Sequence, residues 1–401
     1  MTNKVDRLKS KGLFIVILSL CFGGVYIRGA FVPEQLVAFN AIAFVECSFL
    51  LIVGFYEKGI KLNYMDIKFT LIFISLTALF LLTELFAEKS LVSIIKCYGG
   101  LLVPLILVHV RIKELENFQV FFVKFMKFFN NFIGVLLILA IAGYLFENKI
   151  AIFTATILKS SQLMSIVSSR RFVSFLGHPL YNTEFFVAYF GLNAVYQKYL
   201  DKKKSFWYVL ISLAGVLLTG SKTGIVLILM GTLMLNISNL KWLLTYLVAV
   251  VGLYFGGFFD LIISRLLNET LTTGRSEKWI ELINMVDIDI NWFYGNGHGS
   301  VFELNDIVRR ASAAFEYPFK LFPYEFGIIF TIILYMVLFV FPAYYFLKRK
   351  QYTILVIFGM LVLDVNSYNG LGLYQDHMYT YCFFLCLILN VSRYAHLKKI
   401  I

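Results

Sequence analysis

The feature that most constrains this chain is a succession of long apolar runs separated by short polar stretches, of which IKFTLIFISLTALFLLTELF (67–86) is representative. A bilayer core of about 30 Å takes about 20 apolar residues in a helix. In hydrocarbon no water satisfies backbone N–H and C=O groups, so such runs must close their hydrogen bonds internally. The chain is 60% hydrophobic and 15% charged, against roughly half and a quarter in soluble domains. The expected fold is an all-α polytopic integral membrane protein, with residues 1–401 forming a single membrane domain.

Scanning the runs gives about twelve spans, within a range of about ten to thirteen. They lie near 12–28, 36–56, 67–87, 91–110, 131–148, 182–199, 206–220, 222–237, 241–260, 326–347, 352–365 and 378–392. The polar turn LLTGSKTG (217–224) reads either as the joint between two spans or as one broken hairpin. The amino-terminal stretch lacks a small-residue cleavage site before the spans that follow, so it reads as an uncleaved first helix. Orientation follows from Lys and Arg, which concentrate in alternate short loops and place both termini in the cytoplasm. The net charge of +12 therefore reports orientation and not nucleic-acid binding. The basic, aromatic segment 111–130 is expected to lie along the inner leaflet. Cys21, Cys47, Cys97, Cys382 and Cys386 all fall in apolar runs, where helix packing accounts for them.

Two long outer segments run against the topological bias. One spans 149–181 and carries Lys159, Arg170 and Arg171; the other spans 261–325 and carries Arg265, Arg275, Lys278, Arg309, Arg310 and Lys320. Arginine binds phosphate through a planar fork, and each charge-assisted bond is worth about 1.5–3 kcal/mol. Two such segments meeting above the membrane would clamp a diphosphate. Outside the cytoplasm no nucleotide sugar is available, so the expected substrate is a glycan on a polyprenyl diphosphate. The plain alternative is that these residues contact lipid headgroups or pair with Glu269, Glu277 and Glu281. The run GNGHGS (295–300) lacks the βαβ context of a dinucleotide fingerprint. Its glycines, Gly295 and Gly297 among them, suit a backbone nest that presents N–H groups to an anion. His178 and His298 sit in such turns, and neither has neighbours at metal-ligand spacing. No metal or cofactor is expected.

Five stretches then occur in order: RRFVSFLGHPLYN (170–182), LLTGSKTGIVLILMGTLML (217–235), GRSEKWIELINMV (274–286), WFYGNGHGS (292–300) and FEYPFKLFPYEFGIIF (315–330). Together they resemble the O-antigen polymerases and O-antigen ligases, polytopic bacterial enzymes that join lipid-linked glycans outside the inner membrane. The correspondence covers roughly residues 165–345: a basic glycine turn entering a span, a small polar turn opening a helix, G-R-x-x-x-W, G-x-G, and an aromatic stretch ending in G-I-I. Ligases of the family often carry His-Asn where this chain has Phe315-Glu316. That departure points to a polymerase of O-antigen, capsule or exopolysaccharide repeat units.

The resemblance implies a GT-C-like enzyme of the bacterial cytoplasmic membrane that acts without metal. It implies attack by a sugar hydroxyl on the anomeric carbon of a polyprenyl-diphosphate-linked oligosaccharide. Arg275, with Arg170 or Arg171, would stabilise the leaving diphosphate, with Lys222, Gly295, Gly297, Arg309 and Arg310 as further substrate contacts. Glu316 is the first candidate for a general base, followed by His298 and Asp306. The plain reading of Glu316 is an ion pair with Lys320, one helical turn on. Membrane lipids, a chain-length regulator and the pathway's flippase are the implied partners. A flippase of the same lipid-linked units is the competing function. Few charges lie within spans (Glu46, Glu84, Lys96 and Asp364 come nearest), and that favours an enzyme at the outer interface.

Overall fold

The computed structural model describes residues 2–33, 37–58, 64–146, 149, 152–153, 156, 171–201, 205–236, 240–268, 274–372 and 376–398. Among them there is no strand; the only extended pairing is a bridge between Ser174 and Gly177. The helices are α1 (Thr2–Phe22), α2 (Val25–Phe31), α3 (Ala41–Lys58), α4 (Tyr64–Phe86), α5 (Leu91–Leu101), α6 (Leu105–His109) and α7 (Leu115–Leu145). After the first long segment come α8 (Pro179–Tyr196), α9 (Trp207–Thr219), α10 (Lys222–Asn236), α11 (Leu240–Phe255), α12 (Asp260–Asn268) and α13 (Arg275–Met285). The remainder are α14 (Ser300–Glu303), α15 (Pro318–Phe326), α16 (Ile328–Tyr335), α17 (Phe341–Lys348), α18 (Tyr352–Asn366) and α19 (His377–Leu397).

Four helical stretches, Ile67–Phe86, Leu91–His109, Leu115–Leu145 and Ile328–Lys348, are long and apolar enough to cross a membrane. Counting α1 with α2, which meet at a 79° bend, makes five. The apolar helices α9, α10 and α18 have 13, 15 and 15 residues, which at 1.5 Å per residue fall short of about 30 Å. The outward faces of α3, α4 and α11 expose large apolar side chains, including Ile52, Leu71, Ile74 and Val248. Such continuous apolar surface suits lipid and would be costly in water. The chain is a membrane-embedded helical protein.

Two helices form the centre. Nearly every residue of α8 and α19 is buried, polar ones included, as expected for helices surrounded by others. Around them pack α1, α6, α7, α9 and α18. The segment expected on the inner leaflet departs from that expectation. Residues 115–130 belong to the 31-residue α7, and Phe118, Phe121, Phe122, Phe125 and Phe129 are buried in the core. Their spacing of three and four lines one helical face, and that face packs on the central helices through ring contacts such as Phe125–Phe383 and Phe129–Phe185. All five cysteines are buried free thiols.

A proline break shows how the centre compensates for lost backbone bonds. Pro342 has no N–H for the carbonyl four residues earlier, and the helix widens to a π turn over Met336–Val340. The freed Leu338 carbonyl accepts instead from Tyr381 Oη of α19 at 3.0 Å. The starts of α8 and α19 lie at one end of the bundle with the ends of α9 and α18, joined by contacts such as Thr183–Thr219 and Tyr368–Glu184. The ends of α3, α6 and α19 meet the start of α1 at the opposite end.

Candidate functional site

Arg275 opens α13, and Trp279 lies four residues on, so both project from one face. That face packs on residues 315–320. Arg275 Nε donates to Glu316 Oε2 at 2.6 Å, Nη2 lies 2.6 Å from the same oxygen, and Nη1 donates to the Ser367 carbonyl at 3.2 Å. The guanidinium sits 5.3 Å from the Tyr317 ring. Trp279 meets Phe315 edge-on at 5.6 Å. Lys320 does not pair with Glu316; its ammonium lies 4.1 Å from the centre of the Trp279 ring, and burial lowers its pKa. Of the acids considered as partners, Glu281 takes Lys278 at 2.6 Å, and Glu269 lies outside the described residues.

Arg171 arrives from the other long segment. Its Nε donates to the Thr219 carbonyl at 2.8 Å, and Arg265 Nη1 bonds the next carbonyl, Gly220. These carbonyls end α9, where the last C=O groups lack helical donors and the helix dipole is negative. Gly220 closes that helix at φ +66°, a left-handed cap that glycine adopts without strain. Ser221 Oγ then accepts from Gly224 N at 3.1 Å, and Lys222 is the first residue of α10. One turn therefore gathers Arg171, Arg265 and Lys222. Arg170 and Lys159 lie outside the described residues.

His178 stands at the start of α8, in the first basic segment. It caps α8, with Nδ1 accepting from Leu180 N at 3.2 Å, so in the neutral ring the proton sits on Nε2. Burial pulls its pKa down to about 3, reinforced by Arg171, His377 and Arg275. Both arginines thus act on the same imidazole. Hydrogen bonds bring both segments to the start of α8: Arg171 holds the carbonyl of Thr219, whose hydroxyl meets Thr183 at 2.7 Å, and Arg275 holds the carbonyl of Ser367, next to Tyr368, which donates to Glu184.

Beneath them lies a buried polar group. Glu184 Oε2 accepts from Tyr368 Oη at 3.0 Å and lies 2.9 Å from His377 Nδ1, while Tyr181 and Thr380 share a 2.7 Å hydroxyl contact. Glu184 Oε1 and both Asp364 oxygens are buried with no hydrogen-bond partner among the described residues. From sequence, Asp364 stands out only as a charge near a span and His178 only as a turn residue, and Glu184 is not singled out. The signal was present: an ionisable residue inside an apolar run is expensive and marks function by default.

The glycine turn is built around carboxylates of its own chain. His298 N donates to Glu84 Oε1 at 2.8 Å and Gly299 N to Glu325 Oε1 at 2.9 Å. Asn296 N and Gly297 N donate to the Tyr324 and Glu325 carbonyls, each at 2.9 Å. In this conformation the N–H groups expected to meet a substrate anion are engaged by α4 and α15. Gly295 is required for the approach, since a Cβ there would stand 2.3 Å from the Glu325 backbone carbon. His298 Nδ1 lies 3.6 Å from Glu325 Oε2. His298, Glu316 and Glu325 line one cavity of about 200 Å³, with Asn369, Phe315 and Phe322. Asp306, Arg309 and Arg310 are exposed and absent from that lining. Searches of family models, curated proteins and solved structures find no match to the chain.

Proposed function

We propose that the chain is a polysaccharide polymerase that transfers a polyprenyl-diphosphate-linked glycan onto a sugar hydroxyl of a repeat unit. On this reading it is a GT-C-like, metal-independent enzyme of the bacterial cytoplasmic membrane. It makes about twelve passes with both termini inside, and its substrate end faces outward. The resemblance of the five ordered motifs to O-antigen polymerases supports the assignment, and O-antigen, capsule or exopolysaccharide units are the product class. The observation that carries the reading is the ion pair of Arg275 with Glu316, a residue that lines the adjacent cavity, with Arg171 anchored at the Thr219 turn that meets the start of α8.

In the reaction, the acceptor oxygen bonds the anomeric carbon as the anomeric carbon–oxygen bond to diphosphate breaks. The leaving diphosphate is a stable anion, and fixed guanidinium groups of Arg275 and Arg171 stabilise the charge it gains. Neutral His178 adds an Nε2–H donor. When the diphosphate takes the Arg275 fork it displaces Glu316, which becomes free to accept the proton of the acceptor hydroxyl. Tyr317 and Phe319, stacked at 5.4 Å, provide an aromatic face suited to a sugar ring.

A second reading, a flippase for the same lipid-linked unit, is favoured by the buried Glu184, His377 and Asp364, because ionisable groups inside a bundle also serve transport. One experiment tests both. A strain lacking the protein is complemented with wild type, Arg275→Ala or Glu184→Gln at matched membrane abundance, and glycan length and the leaflet of single units are measured. Polymerisation predicts that Arg275→Ala leaves single units on the outer leaflet, with chain growth down about 100- to 1,000-fold. Full-length polymer from Arg275→Ala removes the diphosphate clamp. Single units trapped on the inner leaflet in the null strain and with Glu184→Gln identify the flippase.

A further inference from the structure

The opposite end of the bundle holds a second, larger cavity of about 370 Å³. Arg393 lies about 24 Å from His377 along α19, at 1.5 Å per residue, so the two sites are separated by most of a bilayer core. Among the described residues five cations line it, Lys9, Arg111, Lys113, Arg349 and Arg393, against one carboxylate, Glu57. Glu57 Oε2 takes Lys9 at 2.7 Å and Lys113 at 3.3 Å. The three arginines have no acidic partner among the described residues. Backbone carbonyls hold two of them: Arg111 Nη1 donates to Val108 and Val110, at 2.7 and 2.9 Å, and Arg393 reaches Ile112 and Lys113, at 3.2 and 3.4 Å. Arg349 lies 4.0 Å over the Tyr345 ring, and its Nη1 is buried with no hydrogen-bond partner among the described residues. The nearby Asp6 carboxylate accepts from the Lys113 and Glu114 N–H groups, at 3.0 and 2.7 Å, and is not among the residues that line the cavity.

Uncompensated guanidinium groups around one space are costly unless an anion joins them. Apart from Thr70 and His109, the rest of the wall is apolar, with Phe55 of α3, Phe69 of α4 and Ile106 of α6. Phe55 is exposed on the surface of the bundle, where lipid tails would lie. A Cβ added at Gly54 would meet nothing within 4 Å, so this part of the wall is open. A charged floor beside an open apolar wall fits an anion that carries acyl chains.

We propose that this cavity binds the phosphate headgroup of an anionic membrane lipid, as a site separate from the one around Arg275. The proposal does not depend on the glycosyl-transfer reading. Its test uses the purified full chain, stripped of lipid in detergent and titrated with phosphatidylglycerol, phosphatidylcholine or inorganic phosphate, with adducts counted by native mass spectrometry. Wild type should retain phosphatidylglycerol over phosphatidylcholine. Losing one cation should weaken retention roughly fivefold, and Arg349→Gln with Arg393→Gln roughly thirtyfold. Lys124→Gln, which removes the same charge from the exposed face of α7, should change nothing.

Gly54→Leu fills the open wall and leaves every cation in place, so it decides the matter should the double variant fail to fold; retention should fall at unchanged melting temperature. Unchanged phosphatidylglycerol binding in Gly54→Leu overturns the site. Equal retention of phosphatidylcholine overturns the role of the excess positive charge. Inorganic phosphate that displaces the lipid at equal concentration overturns the lipid assignment in favour of a free anion.

Discussion

Arg275 and Glu316, 41 residues apart, form an ion pair in which both Nε and Nη2 lie 2.6 Å from one carboxylate oxygen. The Glu316 side chain is 46% exposed and that of Arg275 15%. A half-exposed pair of this kind contributes at most about 1 kcal/mol to stability. Its value on the proposed reading lies in being exchangeable, because a diphosphate competes for the same guanidinium.

Glu316→Gln separates these roles. On the proposed reading Glu316 is the proton acceptor, a role that would be worth about 100- to 10,000-fold in turnover. The variant should lose kcat on that scale while KM for the lipid-linked donor stays level or falls, since nothing charged then competes for Arg275. Steady-state kinetics with purified donor and acceptor read both constants. Unchanged kcat would remove Glu316 from the chemistry.

His178 gives the chain a pH dependence of known sign. Its folded pKa of about 3 lies below the ordinary histidine value of about 6.5, so between these limits the unfolded chain binds the extra proton. Stability is full above about pH 6.5 and declines as pH falls toward 3. His178→Gln, which cannot take up that proton, should show a shallower decline in melting temperature between pH 6.5 and 5. Parallel curves for variant and wild type would contradict the buried, neutral imidazole.

Gly295→Ala tests the close contact between the glycine turn and α15. Its Cβ would meet the Glu325 backbone carbon at 2.3 Å, and neither backbone can yield cheaply. The expected cost is about 1–3 kcal/mol, read as a lower melting temperature by fluorescence-detected gel filtration. Gly54→Ala, where the added Cβ meets nothing within 4 Å, should leave it unchanged.

Asp376→Ala should be the most damaging of these substitutions. Asp376 receives Arg28 through two bonds of 2.7 and 3.0 Å and Asn40 at 3.1 Å, and its side chain is 2% exposed. Truncation strands a buried guanidinium, at about 3–5 kcal/mol. Folded yield in membranes should drop, and Arg28→Met in the same chain should restore part of it.

Helicity and membrane embedding were legible because hydropathy is a sum over neighbouring residues, and lipid leaves a long apolar segment no alternative to the helix. The same sum misread residues 111–130. Lysines among phenylalanines suggest a surface helix in either case, and only the packing of Phe125 on Phe383 and Phe129 on Phe185 makes it a core helix. The G-R-x-x-x-W spacing sets Arg275 and Trp279 on one face because the helix begins at Arg275. Which residues that face would meet was not readable, and the structure chose Glu316 and Phe315 while Lys320 went to Trp279.

Composition and periodicity by themselves determined that the chain is helical and embedded in a membrane, and they singled out the two basic segments. Tertiary structure alone decided that Arg275 pairs with Glu316, that Arg171 caps the turn at Thr219, that Glu184 and Asp364 are buried in the bundle, and that carboxylates of the chain itself fill the glycine turn. The physical reason is range. A helix in lipid is dictated by hydrogen bonds four residues apart, whereas a charge cluster exists only where packing brings distant segments within a few ångströms.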